Sequence, residues 1–241
     1  MPHTFHHIIN DKGYVLADGA MGTGLMALGM KRGEVAESWN IDHPDRITSV
    51  HDGFIDAGAD LILTNSFGGT EIILGRHELA DQAAAYNEAA AKLARQAADR
   101  VDRLVLVAGS MGPTGQLIKP LGKLTVEEAE EAFTAQAAAL AEGGVDYLWI
   151  ETMSSVDEMT AAMKGAAKTG IPFVATMSFD AKGRTMMGTT PEAALKSAQE
   201  VDPKPVAFGA NCGANPRQMI DVILEFKKVV AEDDLIIAKG N

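Results

Sequence analysis

Seven short apolar runs punctuate the chain: Tyr14–Ala17, Leu61–Leu63, Leu104–Ala108, Tyr147–Ile150, Pro172–Thr176, Val206–Ala210 and Leu235–Ala238. Each is followed by a stretch with helical periodicity or Ala-rich composition. Parallel strands cannot be joined by tight turns and need a crossover, usually a helix, so this alternation predicts a parallel sheet covered by helices. The helix signals agree with the spacing. Thr125-Val-Glu-Glu128 and Ser155-Val-Asp-Glu158 have the form of capping boxes, in which the first side chain and the last one satisfy each other's free amide. Tyr86, Ala90, Leu93 and Ala97 make one apolar face, and glycines stand at the expected helix ends, Gly58, Gly143-Gly144 and Gly170. The Ala-rich stretches Ala83–Ala98 and Ala135–Ala141 read as closely packed helices. At 241 residues the chain is close to the ~250 typical of a (β/α)8 barrel, and one domain is the expectation.

Composition narrows the partners. A formal net charge of −12 without a basic run disfavours nucleic acid and anionic membranes. The leading Met1–Asn10 segment lacks the positive start and long apolar core of a secretory signal, and no stretch approaches the ~20 apolar residues of a membrane span. A single cysteine rules out an intramolecular disulfide, and the expected compartment is the cytoplasm. Of six histidines, His3, His6 and His7 lie in the leading segment, while His43, His51 and His77 fall at no identifiable strand end.

Ligands of parallel α/β folds bind where strands hand over to helices, so the residues after each run carry the functional reading. They include Asp18-Gly19 after the first run, Thr64 after the second, Glu151 after the fourth and Asn211-Cys212 after the sixth. Asn215-Pro216 is a helix start, since Asn can accept a free amide and Pro tolerates the first helical position. Cys212 therefore sits between a strand and a helix. Taken alone, an isolated cysteine also reads as a small buried hydrophobe, and Asp18 ahead of Gly19 as a turn residue. Glu151 is harder to explain structurally, because a carboxylate at this edge is costly unless a cation meets it. The glycine-rich turns lack the spacing of phosphate loops. A bowl holding two acids, a thiol and backbone donors suits a small polar molecule.

Several of these segments together resemble the homocysteine S-methyltransferase family, which includes betaine–homocysteine methyltransferase and the homocysteine-binding domain of cobalamin-dependent methionine synthase. They are Asp18-Gly-Ala-Met-Gly-Thr23, Ala57-Gly-Ala-Asp60 with Thr64-Asn-Ser-Phe67, Asn87-Glu-Ala-Ala-Ala91, Gly112-Pro-Thr114, Ile150-Glu-Thr152 and Gly209-Ala-Asn-Cys212, in order from about Tyr14 to Asn241. The resemblance implies a (β/α)8 TIM barrel that transfers a methyl group to homocysteine, forming methionine. It also implies zinc held by three cysteines, the first after strand six and an adjacent pair after strand eight. On that likeness Cys212 is the first zinc ligand and Asn241 an amide that can complete the shell. Glu151 would meet the amino acid's ammonium, while Asp18, Gly19 and Thr64 would line the substrate end. Zinc would lower the pKa of the homocysteine thiol.

The sequence departs from that pattern at its end. It stops at Asn241 with no eighth βα unit and no cysteine pair, leaving one thiolate and one amide where tetrahedral zinc takes four ligands. The expectation is a C-terminally incomplete barrel domain over residues 1–241, with weak or no zinc affinity and two unpaired edges that leave homo-oligomer formation open. The methyl donor stays open among betaine, a methylated corrinoid protein, methyl-folate through such a corrinoid, and S-methylmethionine. A catalytically inactive barrel that binds an amino acid or a partner protein is the alternative reading.

Overall fold

Six of the seven apolar runs become strands of one parallel sheet in the computed structural model, which describes residues 5–180, 182–213 and 215–240. They are β1 (Leu61–Leu63), β2 (Leu106–Met111), β3 (Tyr147–Met153), β4 (Phe173–Met177), β5 (Phe208–Cys212) and β6 (Ile236–Gly240), and each pairs with the next in sequence. The first run differs from expectation. Tyr14–Ala17 contributes a single parallel bridge, Ala17 to Leu61, and the Asp18 amide donates to the Leu61 carbonyl. Tyr14 and Leu16 are largely exposed on that edge, so little burial holds the run in a regular ladder.

The sheet curls. Laid flat, the Ala17 segment and β6 would stand six strand intervals apart, about 29 Å at the usual spacing. Instead the Lys239 Nζ on β6 lies 3.6 Å from Asp18 Oδ1, so the two edges face each other across a cleft of about 570 Å³. Val15–Asp18 line one side of it and Leu235–Gly240 the other. The result is a curled, barrel-like α/β sheet.

Alternation along the strands then decides what lies inside. Leu61 and Leu63, Leu106 and Ala108, Tyr147 and Trp149, Val174 and Ala207 share an inner cluster, with Leu235 and Ile237 packed against it. The intervening residues, among them Ile62, Val107, Leu148, Ile150, Ala175 and Phe208, meet the helices in a larger outer core. The outer helices include Pro44–Asp56, Ala83–Ala98, Val126–Glu142, Val156–Ala167 and Pro216–Phe226. Thr125 and Glu128 complete their capping box, and Asn215 caps the last helix through the Gln218 amide, with Pro216 in its first turn. The Ala-rich helices do pack closely, since a Cβ on Gly143 would crowd the Glu88 carbonyl of the neighbouring helix at 2.7 Å.

One helix went unread in the sequence. Phe5–Lys12 lies under the N-terminal ends of the strands, with Phe5 stacked on Tyr147 at 4.1 Å and its amide donating to the Tyr147 hydroxyl. Phe5 and Ile8 join the inner cluster, and Lys12 pairs with Asp60 just ahead of β1. Among the described residues, no helix is long and apolar enough to cross a membrane.

Candidate active site at the strand ends

The inward positions that are apolar low in the sheet turn polar at its C-terminal rim. Continuing the alternation past Ala108, Trp149, Val174 and Ile237 brings Ser110, Glu151, Thr176 and Lys239 to the same interior, and Asn211 joins them from β5. Gly209, two residues before Asn211, admits no side chain, because a Cβ there would overlap the Ile237 carbonyl. The strands β5 and β6 therefore approach closely beneath the polar layer.

Glu151 is the centre of this layer and is buried. Its Oε1 accepts from the Ser110 hydroxyl at 2.6 Å and its Oε2 from the Asn211 amide at 3.4 Å. Burial pushes its carboxyl above the usual range, while Lys239 and the Ser110 hydrogen bond pull it back. Asp18 is also buried. Its Oδ2 accepts from the Leu63 amide at 2.7 Å, and Oδ1 has no hydrogen-bond partner within the described residues, only the Lys239 ammonium at 3.6 Å. Burial raises Asp18 to about 7 against the pull of Lys239 and the Leu63 amide, with the Glu151 charge adding to the rise. Two acids thus share one ammonium in a desolvated space.

Asn211 connects this acid pair to the thiol. Its Oδ1 accepts from the Thr152 amide and the Thr176 hydroxyl, both at 2.8 Å. Its Nδ2 reaches Glu151 Oε2, Thr152 Oγ1 at 2.7 Å and Cys212 Sγ at 3.4 Å. Cys212 ends β5, half-buried, and faces a cavity of about 800 Å³ beside Thr152. Both Thr152 and Cys212 adopt left-handed backbone, φ 63 and φ 58, a conformation that costs on the order of 1–2 kcal/mol for a residue with a Cβ.

The remaining expected residues fall differently. The Thr64 hydroxyl is engaged within the protein: Oγ1 accepts from the Ser110 amide at 2.9 Å and lies 2.5 Å from Ser66 Oγ, which donates to the Ser110 carbonyl. Thr64 thereby fixes the residue that holds Glu151. Gly19 passes under the Phe54 ring, which a Cβ would crowd at 2.8 Å, at the entry to the helix Met21–Ala27. Asn241 lies outside the described residues. Ser110 and Lys239 were given no role from the sequence, and Asn211 was noted only as the residue ahead of Cys212, although two-residue alternation from the apolar inward positions points to all three.

Zinc does not fit the donors present. Cys212 is the chain's single cysteine, and its sulfur stands beside a hydroxyl and an amide rather than other thiolates. Among the described residues no group of three or more His, Cys, Asp and Glu could hold a metal ion. Tetrahedral zinc needs four such ligands.

A curled parallel sheet with an acid pair, an ammonium, an amide hub and a thiol on its C-terminal rim defines the barrel class of α/β proteins that act on small molecules at their strand ends. The comparisons make this specific. The profile of the homocysteine S-methyltransferase family matches residues 15–241, and the chain belongs to that enzyme family. It is 30% identical over 221 residues to methionine synthase of Mycobacterium tuberculosis (strain ATCC 25618 / H37Rv), covering 85% of this chain and 18% of that protein. It is also 30% identical over 230 residues to methionine synthase of Mycobacterium leprae (strain TN), covering 89% of this chain. The chain thus spans 18% and 19% of the lengths of these two relatives. In fold it resembles the metallated form of the homocysteine methyltransferase MmuM from Escherichia coli, with a TM-score of 0.77 and 22% identity, covering 98% of this chain and 94% of that one.

Proposed function

We propose that the chain binds homocysteine on the polar rim of its sheet and supports transfer of a methyl group to the substrate sulfur, forming methionine. Family membership supports the reaction class, and the observation that carries the reading is the Glu151–Asn211–Cys212 connection. Glu151 is a buried carboxylate within reach of an incoming ammonium, and Asn211 spans from it to the thiol. The amino-acid end of homocysteine then lies over Glu151, and its sulfur toward Cys212. Lys239 is set to receive the α-carboxylate, and Asp18 holds Lys239 in place. An ammonium arriving beside Glu151 stabilises its charged form and so offsets the burial that raises its pKa.

The zinc dependence implied by the family resemblance belongs to this proposal and requires thiolates that these 241 residues do not contain. The same reasoning makes residues 1–241 one homocysteine-binding barrel domain that lacks an eighth βα unit, a reading supported by the cleft between the Val15–Asp18 and Leu235–Gly240 edges. That no three of the described His, Cys, Asp and Glu residues gather as a ligand set is the observation that favours the inactive amino-acid-binding barrel as a second reading.

Calorimetric titration with homocysteine tests the proposal. Glu151→Ala is expected to weaken binding by about tenfold to a hundredfold, the scale of a lost charged contact, and more than Asp18→Asn does. Equal or reversed effects would remove the ammonium assignment.

A further inference from the structure

Gln136 lies on the buried face of the helix Val126–Glu142, 2% exposed, between the core residues Phe133, Ala137 and Leu140 of the same helix. An amide in such a place is costly unless its polar atoms are met. The Nε2 is met. It donates to the Ser66 carbonyl at 2.8 Å, reaches Asn87 Oδ1 at 3.2 Å and makes a longer bond to the Ser110 carbonyl at 3.4 Å. The Oε1 is buried with no hydrogen-bond partner among the described residues. A methionine would fill the same space without an orphaned oxygen, so packing alone does not account for a glutamine there.

The next helix fixes how Gln136 is turned. Asn87, 1% exposed on Ala83–Ala98, gives its own donors to the Gly69 and Ala83 carbonyls, each at 2.7 Å. Its Oδ1 is left to face Gln136, which must present an N–H in return. Gly69 passes against this amide pair, and a Cβ there would overlap Asn87 Oδ1 and come within 2.9 Å of Gln136 Nε2. The two carbonyls that Gln136 holds belong to the residues that set Glu151. Ser66 Oγ donates to the Ser110 carbonyl at 2.8 Å, and Ser110 Oγ donates to Glu151 Oε1 at 2.6 Å.

We propose that Gln136 is a positioning residue for the acid layer: from the helix layer it fixes the Ser66 and Ser110 carbonyls, and through the Ser110 hydroxyl it fixes the Glu151 carboxylate. The inference rests on the homocysteine reading above, in which Glu151 receives the substrate ammonium. A group that meets its ligand at a defined place needs its supports locked, since a misplacement of about 1 Å costs on the order of a hundredfold in rate. Gln136 lines neither cavity at the rim, so it acts on a ligand only through the residues it holds. The orphaned Oε1 is then the cost of a donor placed where the loop after β1 and the end of β2 converge.

The test compares Gln136→Met, which keeps the volume and removes the donor, with Ser110→Ala, which removes the hydroxyl on Glu151, and with the double variant. In Gln136→Met the Ser66 carbonyl keeps the Gly69 amide and the Ser110 carbonyl keeps the Ser66 hydroxyl. An orphaned Asn87 Oδ1 replaces the orphaned Oε1, so the denaturant midpoint should change little. Homocysteine affinity by calorimetry should instead fall about tenfold, as in Ser110→Ala, and the double variant should be weaker than Ser110→Ala by less than about twofold. Without ligand, the side-chain carboxyl carbon-13 resonance of Glu151 should move in the same direction in both single variants, a readout that lost stability alone does not move. Gly69→Ala presses on the same amide pair from the loop and should move that resonance too, which covers a Gln136→Met that fails to fold. Additive losses of affinity would overturn the proposal and leave the homocysteine reading standing. So would an unmoved Glu151 resonance in folded Gln136→Met, or in Gly69→Ala where Gln136→Met does not fold. A wild-type chain that ignores homocysteine, with the Glu151 resonance still moved by the variants, would remove the homocysteine reading and uphold the positioning.

Discussion

Thr152, one residue before the end of β3, and Cys212, the last residue of β5, share a left-handed conformation, and their side chains meet across the end of β4, Oγ1 to Sγ, at 3.8 Å. Neither is glycine, so the chain holds two strained residues against each other at the point where the sulfur is presented. Cys212→Gly should raise stability by on the order of 0.5–1 kcal/mol by removing that strain, while removing the thiol from the rim. Denaturant unfolding reads the first effect, and a loss of stability would contradict the strain argument.

Asn211 makes four polar contacts that tie β5 to β3 and β4, and a fifth to the Cys212 sulfur beside it. Asn211→Leu leaves the Thr152 amide without its acceptor and the Thr176 hydroxyl with only the Ile150 carbonyl, at 3.4 Å. The expected cost is about 1–4 kcal/mol, from an unsatisfied-group penalty of roughly 1–3 kcal/mol for the amide and up to about 1 kcal/mol for the weakened hydroxyl bond. Homocysteine affinity should fall with it, because Glu151 loses a donor. A near-neutral thermal unfolding profile would show that the hub is dispensable.

Asp18 makes stability depend on pH. Its folded pKa, about 7, lies above its ordinary 3.8, so the folded state holds the proton more tightly. That contribution is fully present below about 4 and is lost as pH rises through about 7, a difference on the order of 4 kcal/mol. Against Asp18→Asn, which does not titrate, the wild-type chain should lose a few kcal/mol on going from pH ~4 to pH ~8. Parallel pH profiles for the two chains would refute the assignment.

His51 acts in the opposite direction. It is fully buried in the helix Pro44–Asp56, both ring nitrogens lack hydrogen-bond partners among the described residues, and burial, with help from Arg100, depresses it to about 4. Its stabilising contribution is complete above the ordinary value of 6.5 and is lost as pH falls through about 4, a change of about 3 kcal/mol. His51→Leu should flatten that acid limb, as measured by denaturant midpoints at pH ~7 and pH ~4.

Metal content is a separate test. The purified 241-residue chain should carry far less than one zinc per molecule by elemental analysis, because Cys212 stands beside Thr152 and Asn211 rather than beside other thiolates. Tightly held zinc at one equivalent would reverse that conclusion.

The strand order was legible because each apolar run sits a crossover's length from the next. Cys212 and Glu151 were legible because they close such runs. Lys239 and Ser110 were not, since a lysine in a short strand and a serine in a glycine-rich turn carry no local signal. Their roles depend on which way the strand faces, and that is fixed by residues such as Ile237 and Ala108 two positions earlier. Thr64 read as a ligand contact because it follows a strand. In the structure its hydroxyl is held by Ser66 and Ser110, a pairing between loops that spacing does not encode. The Phe5–Lys12 helix was missed for a related reason: its apolar residues are few, and their burial comes from the underside of the sheet.

The Phe5–Tyr147 stack has a practical corollary. Tyr147 begins the strand that Glu151 nears the end of, so Phe5 lies about 13 Å below the acid layer at the usual rise per residue. A probe attached at the Phe5 end of this helix therefore reports on the pole opposite the thiol and leaves the rim untouched.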